Sequence, residues 1–387
     1  MSIMAINQPR DINPERLVQA RLIRGFSRQE IADAFKITRQ AVSQYENGIC
    51  RPKPEVMRQY QTYLDMPLNF FYSQPLQKTN TAFHFRKLQK STDIEQGCTA
   101  VRLGFMAEVY SYFSKYMEFP ETNIPMKNEY DCYNEAEIEA IATQVRHQWN
   151  LKGRPIKNIT ALMENYGCII SKFSCKKNVD IDACSKIFDL NGEARPFITL
   201  ISDTGVSSCR ERFSLAHELG HMILHSWADV DYTKNKAEHN RIEAEANYFA
   251  GAFLLPFDEF SREALSCSAI DSFIALKDRW KVSIGAMIMR AKSLSIISEN
   301  QAKYLFKQIN LRGIRKKEPL DDVIPYDKPQ NMYNALNLLT ENGIKSGDEI
   351  LEDLTIPIEE VSQICGVAEE QNSFFSPKLK PVIRLVS

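Results

Sequence analysis

His217-Glu218-Leu219-Gly220-His221 places two imidazoles four residues apart, with a carboxyl directly after the first. On a helix, residues four apart stand one above the other, about 5–6 Å between Cβ atoms, so both rings can grip one cation from a single face. A glutamate one step past the first histidine is then presented to the open side of that ion. Two nitrogen ligands and a general base are the working parts of a zinc peptidase. The chain holds only 6 histidines, and His217, His221 and His225 are three of them. Histidines that merely cap or pack a surface helix are the plainer reading, and the spacing argues against it.

Zinc in such a site takes a third protein ligand, and residues 238–255 supply a candidate. There, Glu243-Ala244-Glu245-Ala246-Asn247 puts Glu243 and Asn247 on one face of a second helix, and small Ala244 and Ala246 permit close packing. His217, His221 and Glu243 would complete a His2Glu set, with the fourth position left for water. Asn247 suits a supporting role, steadying a ligand histidine through a hydrogen bond. Glu245 points elsewhere on this reading. His225, a turn beyond His221, is expected behind the ligands or in the substrate cleft, and His239 is an ordinary helix-start residue.

The charges set the chemistry. Two neutral imidazoles and one carboxylate leave a bound Zn2+ with a net charge of about +1, which lowers the pKa of its water from about 15.7 towards roughly 7. Glu218 would take the proton as water attacks a peptide carbonyl, then pass it to the leaving amine. Tyr232 and Tyr248 are the nearest candidates for a further oxyanion donor.

These side chains need two helices and a sheet to hold them. Ser208-Cys209-Arg210-Glu211 has the capping-box form and predicts a helix start at Ser208. Phe213, Ala216, Gly220, Ile223 and Leu224 then recur at three- and four-residue steps. After Trp227, the polar stretch 229–236 reads as a loop; the second helix follows and stops at Pro256. Runs at 168–173, 183–190 and 197–202 are rich in β-branched or aromatic residues and predict a small sheet beside the metal helices. One edge of it could hold an extended peptide by strand addition. Asp182 precedes one strand, as a turn cap or groove residue.

Residues 14–60 carry a second, independent signal. Ser27-Arg28-Gln29-Glu30 opens a short helix with Ile31, Ala32 and Phe35 inward; Lys36-Ile37-Thr38 makes a turn; a further helix runs from Thr38 to Asn47 and ends at Gly48. This is a helix-turn-helix, whose second helix enters the major groove. Ala41, Val42 and Tyr45 are expected to face the core, and Arg39, Gln40, Ser43 and Gln44 to face base edges, which Arg and Gln suit. Arg21, Arg28, Arg51 and Lys53 are placed to touch phosphates. Ten Lys/Arg against seven Asp/Glu over residues 1–73 give only +3, so affinity for a double-stranded operator is expected to rely on a homodimer.

Thr38-Arg39-Gln40-Ala41-Val42-Ser43-Gln44-Tyr45-Glu46-Asn47-Gly48 resembles the recognition helix of XRE-type regulators. The stretch from Arg212 to His221, with Glu243 to Ala250 and Leu254-Leu255-Pro256, resembles the ImmA/IrrE metallo-endopeptidases. The resemblance implies a zincin-like fold, with His217, His221 and Glu243 as ligands and Glu218 as base. It also implies a protein substrate, since stand-alone members cut helix-turn-helix repressors and so release mobile-element or stress genes. With reader and peptidase in one chain, the target is a repressor- or antitoxin-like protein or the chain itself. A regulator that senses metal or ligand without cutting is the other reading, and an intact Glu218 weighs against it.

The whole chain reads as mainly α and multidomain. The division expected is a five-helix-type helix-turn-helix domain over 1–73, a helical linker over 74–130, an α+β metallopeptidase domain over 131–312 and a helical C-terminal subdomain over 313–387. Within the linker, Phe83-His84-Phe85-Arg86-Lys87 reads as a docking segment. Composition is that of a globular protein, 44% hydrophobic and 25% charged, and a net charge of −1 excludes a generally basic nucleic-acid coat. Nine cysteines without a C-x-x-C fit neither a disulfide framework nor a zinc ribbon; Cys50, Cys168, Cys184 and Cys365 read as buried thiols in a reducing cytoplasm. No signal peptide or membrane span is expected. The cluster Arg315-Lys316-Lys317 among Pro319, Pro325 and Pro329 reads as a solvated, linker-like loop.

Overall fold

The computed structural model describes residues 11–76, 83–85, 92–127, 129, 131–174, 183–202, 206–226, 235–267 and 269–367. They fall into two compact units, one within Met1–Lys78, Ser91–Phe119 and Gln330–Ser387, the other within Thr79–Lys90 and Pro120–Pro329.

The first unit begins with α1 (Pro14–Ile23), α2 (Arg28–Phe35), α3 (Arg39–Glu46), α4 (Pro54–Tyr63) and a 3-10 turn at Leu68–Tyr72. Ser27 caps α2 in a full capping box with Glu30, Lys36 turns the chain in the left-handed region, and Thr38 caps α3. Leu17, Ala20, Ile31, Phe35, Val42, Tyr60 and Phe71 close the core. Of the three α3 residues expected inward, only Val42 is fully buried; Ala41 and Tyr45 are half-buried. Next comes α5 (Asp93–Phe113), capped by Thr92 with Glu95. It packs on α1, where Arg16 reaches Glu108 at 2.8 Å.

In the second unit, β1 (Phe83–Phe85), β2 (Ile169–Ser174), β3 (Ala183–Leu190) and β4 (Glu193–Ser202) form a mixed sheet in the order β1-β3-β4-β2. The β3–β4 hairpin closes on Asn191-Gly192, both with positive φ, 58° and 87°, the geometry whose twist matches that of the strands. Strand β2 lies parallel to β4, and β1 antiparallel to β3 with His84 in register with Ser185.

The helices of this unit are α6 (Glu135–Gln148), α7 (Ile159–Asn165), α8 (Ser208–Leu224), α9 (Lys236–Leu254), α10 (Phe257–Ala264), α11 (Ile270–Trp280), α12 (Ile284–Ser293) and α13 (Glu299–Leu311). Leu215, Leu219 and Met222 from α8, Phe249 and Phe253 from α9, and Ile170, Ile198 and Leu200 from the sheet share one core cluster. Each side chain so buried contributes about 1.5–3 kcal/mol. The cap of α8 is Ser207, whose Oγ accepts from the Arg210 amide, rather than Ser208, whose hydroxyl donates to the Pro325 carbonyl.

The cluster Arg315-Lys316-Lys317 is exposed, as expected of a solvated loop. The acids of the same segment turn inward: fully buried Lys277 sits 2.7 Å from Glu318 and 2.6 Å from Asp321, and buried Arg212 pairs with Asp327. A buried cation requires such acids. One expectation fails on burial. Cys50 is exposed, while Cys168, Cys184 and Cys365 are buried as expected.

The chain then returns to the first unit through α14 (Asn331–Glu341), α15 (Gly347–Leu354) and α16 (Ile358–Ile364). All three pack on α5, with Tyr112 donating to Asp353 at 2.8 Å and Arg102 facing Glu360 at 3.4 Å. The compact units therefore cut the chain differently from the four segments read off the sequence. α5 is a core helix, and the C-terminal helices share its unit.

Candidate functional site

Helix α8 carries His217 and His221 on one face, and α9 brings Glu243 against them. The two Nε2 atoms stand 3.0 Å apart; Glu243 lies 3.5 Å from His217 and 3.4 Å from His221. Ligands at 2.0–2.1 Å around a tetrahedral zinc ion are separated by about 3.3 Å, so this triangle has the right edges. Two imidazoles and a carboxylate are also the donor chemistry zinc takes. Among the described residues this is the group of His, Cys, Asp and Glu side chains that could hold a metal ion. The Glu243 carboxylate thus faces both Nε2 atoms, oxygen to nitrogen, as donors around a shared cation do.

Gly220 makes the approach of α9 possible. A Cβ there would meet Phe249 Cδ1 at 3.1 Å and the Ala246 carbonyl oxygen at 3.2 Å. The fourth position of the H-E-x-x-H run is therefore set by helix packing.

Each ligand histidine is held from behind. His217 Nδ1 lies 3.1 Å from Asn247 Oδ1, the supporting role expected of Asn247. His221 Nδ1 lies 3.2 Å from His225 Nδ1. His225, fully buried at the C-cap of α8, reaches Glu245 through Nε2 at 2.9 Å, and Glu245 in turn accepts from Arg241 at 2.6 Å. Burial first, then the charge of His221 and Arg241, push the His225 pKa well below that of a free imidazole.

Glu218 is fully buried and sits outside the triangle. Its Oε2 accepts the Ser185 hydroxyl at 2.5 Å, a contact that crosses from β3 to α8. A carboxylate steadied beside the donors, and not consumed as a donor itself, is arranged to exchange a proton with a group near them.

In the first unit, Arg39 and Gln40 are exposed at the start of α3. Ser43 and Gln44, also named from the sequence, are half-buried; Gln44 Oε1 accepts from Cys50 Sγ at 3.3 Å. Arg51 is exposed and pairs with Asp11 at 2.9 Å. Arg21 is not available to phosphate: it is buried and binds Glu46 through Nε at 2.5 Å. Arg28 holds the other oxygen of Glu46 at 2.6 Å while its side chain remains 38% exposed. A fully buried carboxylate needs such partners, which explains why two arginines turn inward.

Two stretches of this chain match known families. Residues 17–71 match the helix-turn-helix family model, and residues 185–292 match the peptidase family M78 model described as the IrrE N-terminal-like domain. The chain thus joins an XRE-type helix-turn-helix to an ImmA/IrrE-like domain. No curated protein matches the chain. Among solved structures, a Mycobacterium tuberculosis transcriptional regulator aligns with 49% of this chain at 17% identity and a TM-score of 0.29. The aligned region spans about half of that protein, 51% of its length.

The IrrE-like segment opens at Ser185 and contains every residue of the triangle and its supports. Within it, sequence reasoning missed Ser185, whose role depends on a strand meeting a helix 33 residues away. It also set Glu245 aside and did not reach Arg241, although Glu245 one turn before Phe249 in a buried stretch was a signal. Tyr248 is half-buried with Arg290 over its ring, and lines a cavity of about 580 Å3 with Tyr133, Ile138, Arg241 and Glu245. His239 is a half-buried residue of the first turn of α9. Asp182, Tyr232 and Arg86-Lys87 of the docking segment lie outside the described residues, as do 227–234 of the loop after Trp227.

Proposed function

We propose that this chain is a DNA-binding transcriptional regulator whose second unit is a zinc-dependent endopeptidase, active on a repressor- or antitoxin-like protein or on its own chain. The observation that carries this is the convergence of His217, His221 and Glu243, with Glu218 kept apart from them and fixed by Ser185. His217, His221 and Glu243 would hold Zn2+, which supplies Lewis acidity and lowers the pKa of water towards roughly 7. Glu218 takes the proton from the attacking water and delivers it to the departing amine. Ser185 aims the Glu218 carboxylate, while Asn247 orients the His217 ring. An extended peptide is held by strand addition at the sheet edge.

Arg39, Gln40, Ser43 and Gln44 read operator bases, with Arg28 and Arg51 on phosphates, and a homodimer doubles a contact surface of modest charge. The protein works in the cytoplasm; among the described residues no helix is long and apolar enough to cross a membrane.

Co-expression with the products of neighbouring genes, followed by mass spectrometry of new termini, tests the reading. Wild type is expected to generate fragments that Glu218→Gln does not. Identical fragments from both would remove Glu218 from the chemistry.

A further inference from the structure

We propose that Glu245, anchored by Arg241, is a positioning residue that acts through His225 to fix the ring tautomer of His221, so that its Nε2 keeps a lone pair for the cation. This rests on the reading of His217, His221 and Glu243 as metal ligands. The carboxylate of Glu245 lies 2.9 Å from His225 Nε2 and can only accept, so that nitrogen carries the proton. In a neutral ring the other nitrogen, Nδ1, is then the acceptor. It faces His221 Nδ1 at 3.2 Å, closer than the 3.4 Å between His221 Nε2 and Glu243, so the relay places the proton on Nδ1 and leaves Nε2 for the cation. That Nε2 is the atom 3.0 Å from His217 Nε2 and 3.4 Å from Glu243.

The chain of contacts has a fixed start as well as a fixed direction. Arg241 binds Glu245 at 2.6 Å and Glu238 at 2.9 Å, and the Tyr133 amide donates to the same Glu245 oxygen at 3.4 Å. Glu245 Oε1 is thereby occupied, and Oε2 is the oxygen left to His225. On the other side, Asn247 Oδ1 beside His217 Nδ1 sets the first ring the same way through an amide. Both rings thus offer Nε2 to the cation, one directed by a neutral group and the other by a charged one relayed through a second imidazole.

The test uses full-length protein stripped of metal, 15N-labelled at histidine, with two readouts. Long-range proton–nitrogen spectra report the His221 tautomer, and competition with a chromophoric chelator reports zinc affinity. Wild type is expected to show His221 as the Nδ1–H form. Glu245→Leu is expected to mix the tautomers and weaken zinc binding by about 10–100-fold. Glu245→Gln keeps an acceptor oxygen and should retain the Nδ1–H form with a smaller loss, an outcome that a purely structural role does not give. If Glu245→Leu fails to fold, His225→Phe removes the acceptor from a fully buried ring and must show the same mixing. An Nε2–H His221 in wild type overturns the proposal, as do unchanged tautomer and affinity in Glu245→Leu or His225→Phe. Because the tautomer is read without metal or substrate, loss of the peptidase reading alone would leave these results standing.

Discussion

At the residue scale, the site separates three converging donors from a carboxylate fixed beside them. His217, His221 and Glu243 form the triangle, and Glu218 stands beside it on a hydrogen bond from Ser185. Replacing Glu218 by Gln should leave zinc affinity within a few-fold of wild type while lowering peptide cleavage by about 10²–10⁴-fold, measured as kcat on an identified substrate. Ser185→Ala should act more mildly. It removes one donor from a buried carboxylate, a loss of about 1–3 kcal/mol seen in chemical denaturation, together with a fall in kcat. That His217 and His221 meet was legible in the sequence because four-residue spacing maps directly onto one helix face, and Glu243 was legible as a carboxyl on the next helix. Ser185 and Glu245 were not, since each works through a partner on another element. Glu245 does point away from the ion position, but toward His225, and only the folded C-cap of α8 reveals that meeting.

At the scale of elements, two close helices deliver the site, and Gly220 is where they touch. Gly220→Ala gains about 1 kcal/mol of helix propensity. Against this stands overpacking of about 1–3 kcal/mol, because the nearest obstacles are a backbone carbonyl and a buried ring that cannot easily give way. The expected outcome is a lower melting temperature and weaker zinc binding, since α9 carries Glu243; an unchanged protein would show that the helices can part without cost. The segment between α13 and α14 makes a similar point about burial. Asp327→Ala would leave the Arg212 guanidinium buried without its carboxylate and should cost about 3–5 kcal/mol in denaturant unfolding, whereas a truly solvated loop would show almost none. The metal-site helices, the helix-turn-helix and three of the four strands were readable from periodicity and caps; β1, read as a docking segment, was not. The basic cluster at 315–317 was legible as solvated, but the inward pairing of Glu318, Asp321 and Asp327 was not, because composition records charge without recording what lies beneath it.

At the scale of the whole molecule, the helix-turn-helix and the His217–His221–Glu243 triangle belong to separate compact units, each with its own core. Calorimetry of the full chain should show two transitions. Only one should rise with added zinc, by an increment that grows as the logarithm of free metal. A chelator should lower that transition alone and leave operator binding by the first unit intact. One transition that moves as a whole would mean that the two units melt together.

The order in which the chain leaves the ribosome gives the division at Pro120–Pro329 a temporal meaning. Contacts of the catalytic constellation span short intervals, 20 residues for His225–Glu245, 30 for His217–Asn247 and 33 for Ser185–Glu218. Tyr112, by contrast, waits for Asp353, 241 residues later. Nearby partners find each other first and distant ones last. During synthesis, the half that carries the triangle is therefore expected to assemble while the helix-turn-helix half still lacks α14, α15 and α16.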